Sequence, residues 1–260
     1  MRVAVKIGTS GWQYRHWRGA FYPDRLPASR WLDFYAQWFD TVEVDYAFYR
    51  LPAAEVFERW REGTPRGFEM AVKASSYLTH YKRLREPREP VAILVERARH
   101  LGPKLGPVLL QLPPTMRAEI GRLDETLACF PEGVRVAVEA RHRSWDCDEV
   151  WEVLARHGAA WCVADAPWRH WPVVRTAGWG YLRFHEGAAS PYPCYGRRAL
   201  ASWAERVAET WPEAADVYAF FNNALSACAP RDARRFAGLC RRAGLETTRV
   251  PGRGVVTLRA

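Results

Sequence analysis

Lysine is scarce in this chain: of its 38 basic residues, 34 are arginine and 4 are lysine. Alongside abundant alanine, that bias is what a GC-rich genome writes throughout a protein, so the formal net charge of +9 is weak ground for a nucleic-acid partner. Long apolar runs are also absent. None approaches the ~20 residues that cross a bilayer, and the opening MRVAVKIG has the pattern of a strand and not of a secretory leader. No membrane partner is expected, and the cytoplasm is the expected compartment. The six cysteines (Cys129, Cys147, Cys162, Cys194, Cys228 and Cys240) form no C-x-x-C pair, and several fall in apolar segments. That argues against a zinc ribbon or a disulfide framework and predicts buried free thiols. Low-complexity tracts and linkers are missing as well. With 48% hydrophobic and 26% charged residues, residues 1–260 are expected to fold as one domain.

What is present is an alternation of strand-like and helix-like segments. Strands are predicted at 3–10, 41–49, 67–75, 106–113, 134–142, 159–165, 180–186 and 217–223. Between most of them lie helical patterns, such as Leu32, Tyr35, Ala36 and Phe39 at i, i+3, i+4, i+7, or Ile120, Leu123, Leu127 and Phe130 on one face. Pro52 falls near the first turn of one helix, and Asp146 with Glu149 resembles a capping box for another. A loop is expected after 159–165. Eight β/α units in 260 residues match a TIM (β/α)8-like barrel, with a doubly wound open sheet as the alternative.

Strand alternation then locates candidate functional residues. Near the ends of the predicted strands, polar residues stand opposite the apolar face: Glu43 and Asp45, Lys73, Gln111, Glu139 and Arg141, and Arg183 and His185; the sixth strand ends in Asp165 and the eighth in Asn222 and Asn223. In a barrel these point to the mouth where active sites sit. Buried charges must neutralise one another, so Glu43, Lys73, Glu139, Arg141 and Arg183 are expected to share a common space, either as structural ion pairs or as a site. Lys73 is notable in a chain that otherwise writes arginine. The opening GTSGWQYRHWRG adds two glycines suited to tight turns with free N–H groups, and hydroxyls on Thr9 and Ser10. Flat surfaces on Trp12, Tyr14 and Trp17 could stack a ring, and Arg15 and Arg18 could meet phosphates.

IGTSGWQYRHWRGAFYP, VEVDYAFYRLP, VKASSYLTH, LLQLPP, VEARHRSW, YLRFHE and FNNALSACAPRDA occur in that order along nearly the whole chain. As a set they resemble the YecE-like family, also called domain of unknown function 72. The resemblance implies a TIM-like barrel and no settled activity. Two positions depart from the family pattern: Glu186 and Ala227 stand where glycine is usual.

On these grounds the chain is expected to bind an anion and to act by acid–base chemistry on a phosphorylated or nucleotide-like substrate. Glu43, Lys73, Glu139 and His185 are the catalytic candidates. Thr9, Ser10, Trp12, Tyr49, His80, Gln111, Arg141, Arg183, Asn222 and Asn223 are the binding candidates. A carbohydrate variant would use the two glutamates as acid and base. No metal ligands are assigned and no cofactor is named. The alternatives are a metal-dependent phosphodiesterase or nuclease with ligands drawn from His80, His185, Asp165, Glu43, Glu139 and Asp45, and a non-catalytic nucleic-acid-binding protein using HYKRLREPR at 80–88.

Overall fold

The computed structural model describes residues 4–167, 171–212 and 216–257. Val3, where the first strand was expected to begin, lies outside them. The strands are β1 (Ala4–Thr9), β2 (Thr41–Val44), β3 (Glu69–Lys73), β4 (Leu105–Gln111), β5 (Val136–Glu139), β6 (Ala160–Asp165), β7 (Gly180–Phe184), β8 (Asp216–Phe221) and β9 (Glu246–Thr247). The helices are α1 (Trp31–Trp38), α2 (Tyr46–Tyr49), α3 (Ala54–Glu62), α4 (Arg88–Ala98), α5 (Ile120–Ala128), α6 (Asp148–Arg156), α7 (Arg197–Thr210) and α8 (Cys228–Arg242). As expected, no α-helix follows β6 among the described residues before β7 begins. None of the described helices is long and apolar enough to cross a membrane.

All strand pairs are parallel, in the order β2-β3-β4-β5-β6-β7-β8-β1-β9. The expected eight-stranded ring is therefore a curled nine-stranded sheet. Its two sides meet where Ser10 bridges Glu43 and the Gly11 N–H donates to the Glu43 carbonyl at 2.8 Å. Below that point β9 takes the free edge of β1, pairing Ala4 with Glu246 and Val5 with Thr247.

Two residues explain this seam. A Cβ on Gly8 would collide with the Thr41 carbonyl oxygen, so only glycine lets β1 approach β2. The buried Tyr35 hydroxyl accepts from the Thr9 N–H at 3.0 Å and donates to the Thr41 carbonyl at 3.1 Å, tying α1 to both strands. The N–H groups of Thr9, Ser10 and Gly11 are not the free donors anticipated for this loop. Ser10 N–H donates to Phe221, Gly11 to Glu43 and Thr9 to Tyr35. Gly11 does supply the positive φ of a turn, +82°. Trp17, expected as a stacking surface, is fully buried and donates from its indole to the Ala224 carbonyl at 2.8 Å.

Strand alternation sorts side chains into two cores. One lies between sheet and helices; the other fills the inside of the curl, where Ala71, Ala137, Ala160 and Cys162 leave room for Trp179, Tyr181, Tyr218 and Phe220. Small residues facing large ones keep this interior packed. Charged side chains close its lower end: Lys6 and Arg135 pair with Asp216, each at 3.2 Å, and the Tyr218 hydroxyl donates to Glu69 at 2.6 Å.

Several local expectations change. The strand expected at 41–49 stops at Val44, and Asp45 leads into the single turn α2 without a side-chain cap bond, which leaves Tyr46 and Tyr49 exposed. The Tyr/Phe alternation there imitated a strand. Asp146 is not a helix cap, because α6 starts after Cys147. Pro52 precedes α3 by two residues. Of the six cysteines expected to be free, Cys194 and Cys228 form a disulfide, brought together from 34 residues apart where the loop after β7 meets the start of α8. Cys162 and Cys240 are buried thiols; Cys129 and Cys147 are only half-buried.

Ala227, the departure from the family glycine, has φ +52°, and so does Ser226 before it. A left-handed conformation costs an L residue about 1–2 kcal/mol, so Ala227→Gly is expected to stabilise the protein by about 1 kcal/mol in urea unfolding. Removing the Tyr35 hydroxyl acts the other way. Tyr35→Phe strands the buried Thr9 N–H and Thr41 carbonyl, with an expected loss of about 1–3 kcal/mol in the same assay.

Candidate functional site

The upper end of the interior is a charged layer centred on Arg183, carried by β7 and 1% exposed. Its Nε and Nη2 donate to Glu43 Oε1 at 3.0 and 2.7 Å, and its Nη1 donates to Glu139 Oε2 at 2.6 Å. Both glutamates are fully buried. Tyr181, on the same face of β7, donates to Glu43 Oε2 at 2.6 Å. Glu139 Oε1 also accepts from Gln111 Nε2 at 2.9 Å and Arg141 Nε at 3.1 Å. Burial alone would raise the Glu139 carboxyl. Arg183, His185 and Arg141 overcome it and hold the group well below its ordinary 4.5.

Above this floor the chemistry changes. Lys73 Nζ, at the end of β3, stands 3.6 Å from Asp45 Oδ1 and 4.1 Å from the centre of the Phe48 ring. Burial pushes the Lys73 amine down, helped by Arg183 and opposed by Asp45. Burial also pushes the Asp45 carboxyl up, with Glu43 adding to it against Arg183 and Lys73. The pair is thus an acid raised and a base lowered, in contact, at a partly exposed rim. His80 sits beside it, edge-on to Phe48 with ring centres 4.9 Å apart. Burial lowers its pKa, and Lys73, Arg141 and Arg83 lower it further. That corner is therefore electropositive. On the other flank His185 Nε2 lies 3.4 Å from Glu139 Oε1, and its Nδ1 is 3.0 Å from the Asn222 amide nitrogen. If Asn222 donates there, the ring proton sits on Nε2, facing Glu139.

The rim has an aromatic wall. Trp12, Tyr14, Tyr46 and Tyr49 surround a cavity of about 180 Å³ that reaches Asp45. Tyr49 is 81% exposed, whereas Trp12 is buried edge-on against Trp60. Tyr14 is anchored by its hydroxyl, which donates to the Ser10 carbonyl at 2.5 Å.

Most of the sequence-derived candidates converge here: Glu43, Lys73, Gln111, Glu139, Arg141, Arg183, His185 and Asn222 form one polar cluster, with His80 beside Lys73 and with Trp12 and Tyr49 on the wall. Ser10 is buried on the seam with Glu43, and its hydroxyl has no hydrogen-bond partner among the described residues. Two candidates go elsewhere. Thr9 faces α1, its hydroxyl 2.7 Å from the Gly11 carbonyl oxygen and 3.0 Å from the Tyr35 hydroxyl. Asn223 donates to Asp232 at 2.9 Å and to the Pro193 carbonyl at 3.1 Å, holding the loop after β7 onto α8. In the 80–88 stretch, Lys82 pairs with Glu86 at 2.6 Å and Arg83 reaches Thr115 at 3.0 Å, the habit of a solvated loop.

Tyr181 is not among the sequence-derived candidates; Asp45 is there for its strand parity and as a ligand in the metal alternative, and Tyr14 as a flat surface, but neither as a catalytic or binding residue of the main reading. Tyr181 has the parity of Arg183 and Asp45 that of Glu43, so both were readable from alternation. Tyr14 is placed by a loop that has no periodicity. Among the described residues, no group of three His, Cys, Asp or Glu side chains gathers as metal ligands.

The family described as protein of unknown function DUF72 matches residues 6–253. The UPF0759 protein YecE of Escherichia coli K12 is 32% identical over 139 residues, 53% of this chain and 48% of that protein, so the chain spans about half of that relative. The UPF0759 protein YunF of Bacillus subtilis 168 is 25% identical over 252 residues, 84% of this chain and 88% of its own length. A crystal structure of a DUF72 family protein from Thermotoga maritima aligns with a TM-score of 0.81 and 28% identity, covering 92% of this chain and 99% of that one. One from Enterococcus faecalis, at 20% identity and TM-score 0.77, covers 91% and 95% and shares the fold. Curled parallel sheet, ordered motifs and a match across nearly the whole length agree: this chain belongs to the DUF72 family.

Proposed function

We propose that the protein binds a phosphorylated or nucleotide-like small molecule at the mouth of a barrel closed at the Ser10–Glu43 seam, and acts on it by proton transfer. The observation that carries this reading is the Lys73–Asp45 pair, 3.6 Å apart at the edge of the Arg183 cluster, which Asp45 also meets at 3.4 Å from Arg183 Nη2. Lys73 is buried, but Asp45 is half-buried and lines the rim cavity, so the pair is reached from there. A carboxyl raised and an amine lowered toward the working pH range are the groups from which general acids and bases are made. Lys73, Arg141 and the field around His80 supply the anion site, and Trp12, Tyr14 and Tyr49 the wall for a ring. In this reading Asp45 takes the proton-transfer role first expected of the glutamates, while Glu43 and Glu139 hold Arg183 in place. Each carboxylate at the mouth faces a cation, which favours an anionic ligand there over a cluster of divalent cations.

The test is thermal-shift and calorimetric titration with inorganic phosphate, nucleotides and sugar phosphates. Stabilisation by an anion that Lys73→Met abolishes supports the reading; an equal response from both proteins removes it. Affinity is expected to fall as pH rises through the depressed Lys73 pKa, below its ordinary 10.5, and Lys73→Met to lose that limb. Asp45→Asn should tighten anion binding at neutral pH by removing the opposing charge.

Floor and rim should also separate by stability. Glu139, with its folded pKa depressed, contributes stability that is present above 4.5 and lost as pH falls through the folded value. Glu139→Gln is therefore expected to cost about 3–5 kcal/mol at pH 7 by leaving Arg183 short of a partner. Asp45, with its folded pKa raised, opposes folding when ionised, so Asp45→Asn should be neutral or stabilising at pH 7. Urea unfolding of both variants checks the contrast; equal losses would place Asp45 in the structural network.

A further inference from the structure

Outside the sheet, away from the mouth, a cavity of about 680 Å³ brings together six arginines: Arg197 at the start of α7, Arg234, Arg235, Arg241 and Arg242 on α8, and Arg253 in the segment after β9. No carboxylate lines it. Among the described residues, none of the six is ion-paired or hydrogen-bonded through its side chain. The helical period explains how four of them share a face: positions 234, 241 and 242 follow at i, i+7 and i+8, and Arg235 lies seven before Arg242. The opposite face, with Ala233, Phe236, Ala237 and Cys240, is buried against the sheet. Like charges crowded in this way repel; the Arg235 pKa is lowered by burial first, with Arg231 behind it and Arg234 of the cavity adding to it against Asp232.

Gly238 sits mid-helix on the cavity lining. Glycine inside a helix is unfavourable compared with alanine, and no protein atom requires it here. A Cβ at this position would have Arg242 Nη1 as its nearest neighbour, 4.0 Å away. The missing side chain keeps the cavity floor open.

We propose that this cavity binds a compact run of adjacent phosphate groups, such as a free polyphosphate or the polyphosphate arm of a small molecule. Guanidinium forks match phosphate oxygens two at a time, and a single phosphate would leave most of the six cations unmatched. The lining has no aromatic side chain on which a base or sugar could stack, so recognition is through charge. The volume lies in the range of small-molecule sites, about 300–1,000 Å³.

Tripolyphosphate is the probe, measured by calorimetry on the full chain at several salt concentrations against orthophosphate and a single-stranded oligonucleotide. The expected result is binding that weakens with salt, exceeds that of orthophosphate and survives Lys73→Met, which separates this site from the mouth. It should fall about tenfold for each arginine removed in Arg234→Gln and Arg241→Gln, and disappear in Gly238→Glu. Should Gly238→Glu not fold, the double glutamine variant, altered only on the solvent face and checked by circular dichroism, carries the test. Unchanged affinity in the double variant, loss of binding in Lys73→Met, or an oligonucleotide that binds more tightly as it lengthens would each overturn the proposal.

Discussion

A guanidinium with no exposure to water can remain in the interior only if carboxylates surround it. Arg183 has that arrangement: Glu43 from β2 and Glu139 from β5 reach it across the inside of the curl from β7. Desolvation opposes its charge, but Glu43, Glu139 and Asp45 outweigh the burial and raise its pKa well above the usual value. Such a cluster is not a cheap route to stability, since well-packed apolar residues often do as well. What it does is fix geometry. Three strands that are not neighbours in the sheet are held at a set distance at the level where the chain leaves the strands for the mouth loops, so the rim residues sit on a rigid base.

The remainder of the interior follows from that constraint. Charges above and charges below leave a middle layer that must be apolar and filled, and the pairing of alanines and Cys162 with Trp179, Tyr181, Tyr218 and Phe220 fills it. Tyr181 and Tyr218 serve both environments, each ring lying in the apolar layer while its hydroxyl reaches a carboxylate, Glu43 above and Glu69 below. Their own pKa values are raised by burial, so both act as donors and remain neutral.

Much of this was legible in the sequence because strand alternation is a strict period of two. Glu43, Glu139 and Arg183 could be assigned to one shared space from parity and from the cost of burying charge, and they meet there. Legibility failed wherever contacts are made by loops or by distant segments. Asp45 kept the parity that alternation gave it, but Tyr46–Tyr49 looked like strand and are helix, because the polar/aromatic alternation of a strand and a single exposed helical turn are alike over four residues. Thr9 had the right position along the chain and the wrong face, since the residue at the seam had to meet Tyr35. Cys194 and Cys228 carried no spacing signal, and β9 is too short to show a period.

The charge distribution has a physical logic of its own. At the bottom of the curl two cations, Lys6 and Arg135, face two carboxylates, Glu69 and Asp216. At the top three cations, Lys73, Arg141 and Arg183, face three carboxylates, Glu43, Asp45 and Glu139. Low dielectric enforces that balance, because an unmatched charge inside would shift its pKa or unfold the site. The formal excess of +9 is therefore not carried by these two layers. An even spread elsewhere would minimise repulsion, yet six arginines crowd one concavity around a helical glycine. In the proposed reading the mouth, nearly neutral in sum, moves protons and selects a ligand by arrangement, while the outer cavity, strongly positive and without aromatic groups, attracts charge. Salt therefore separates the two: screening acts fully on the exposed cluster and little on the buried floor, so an anion held at the outer surface is the first to leave as ionic strength rises.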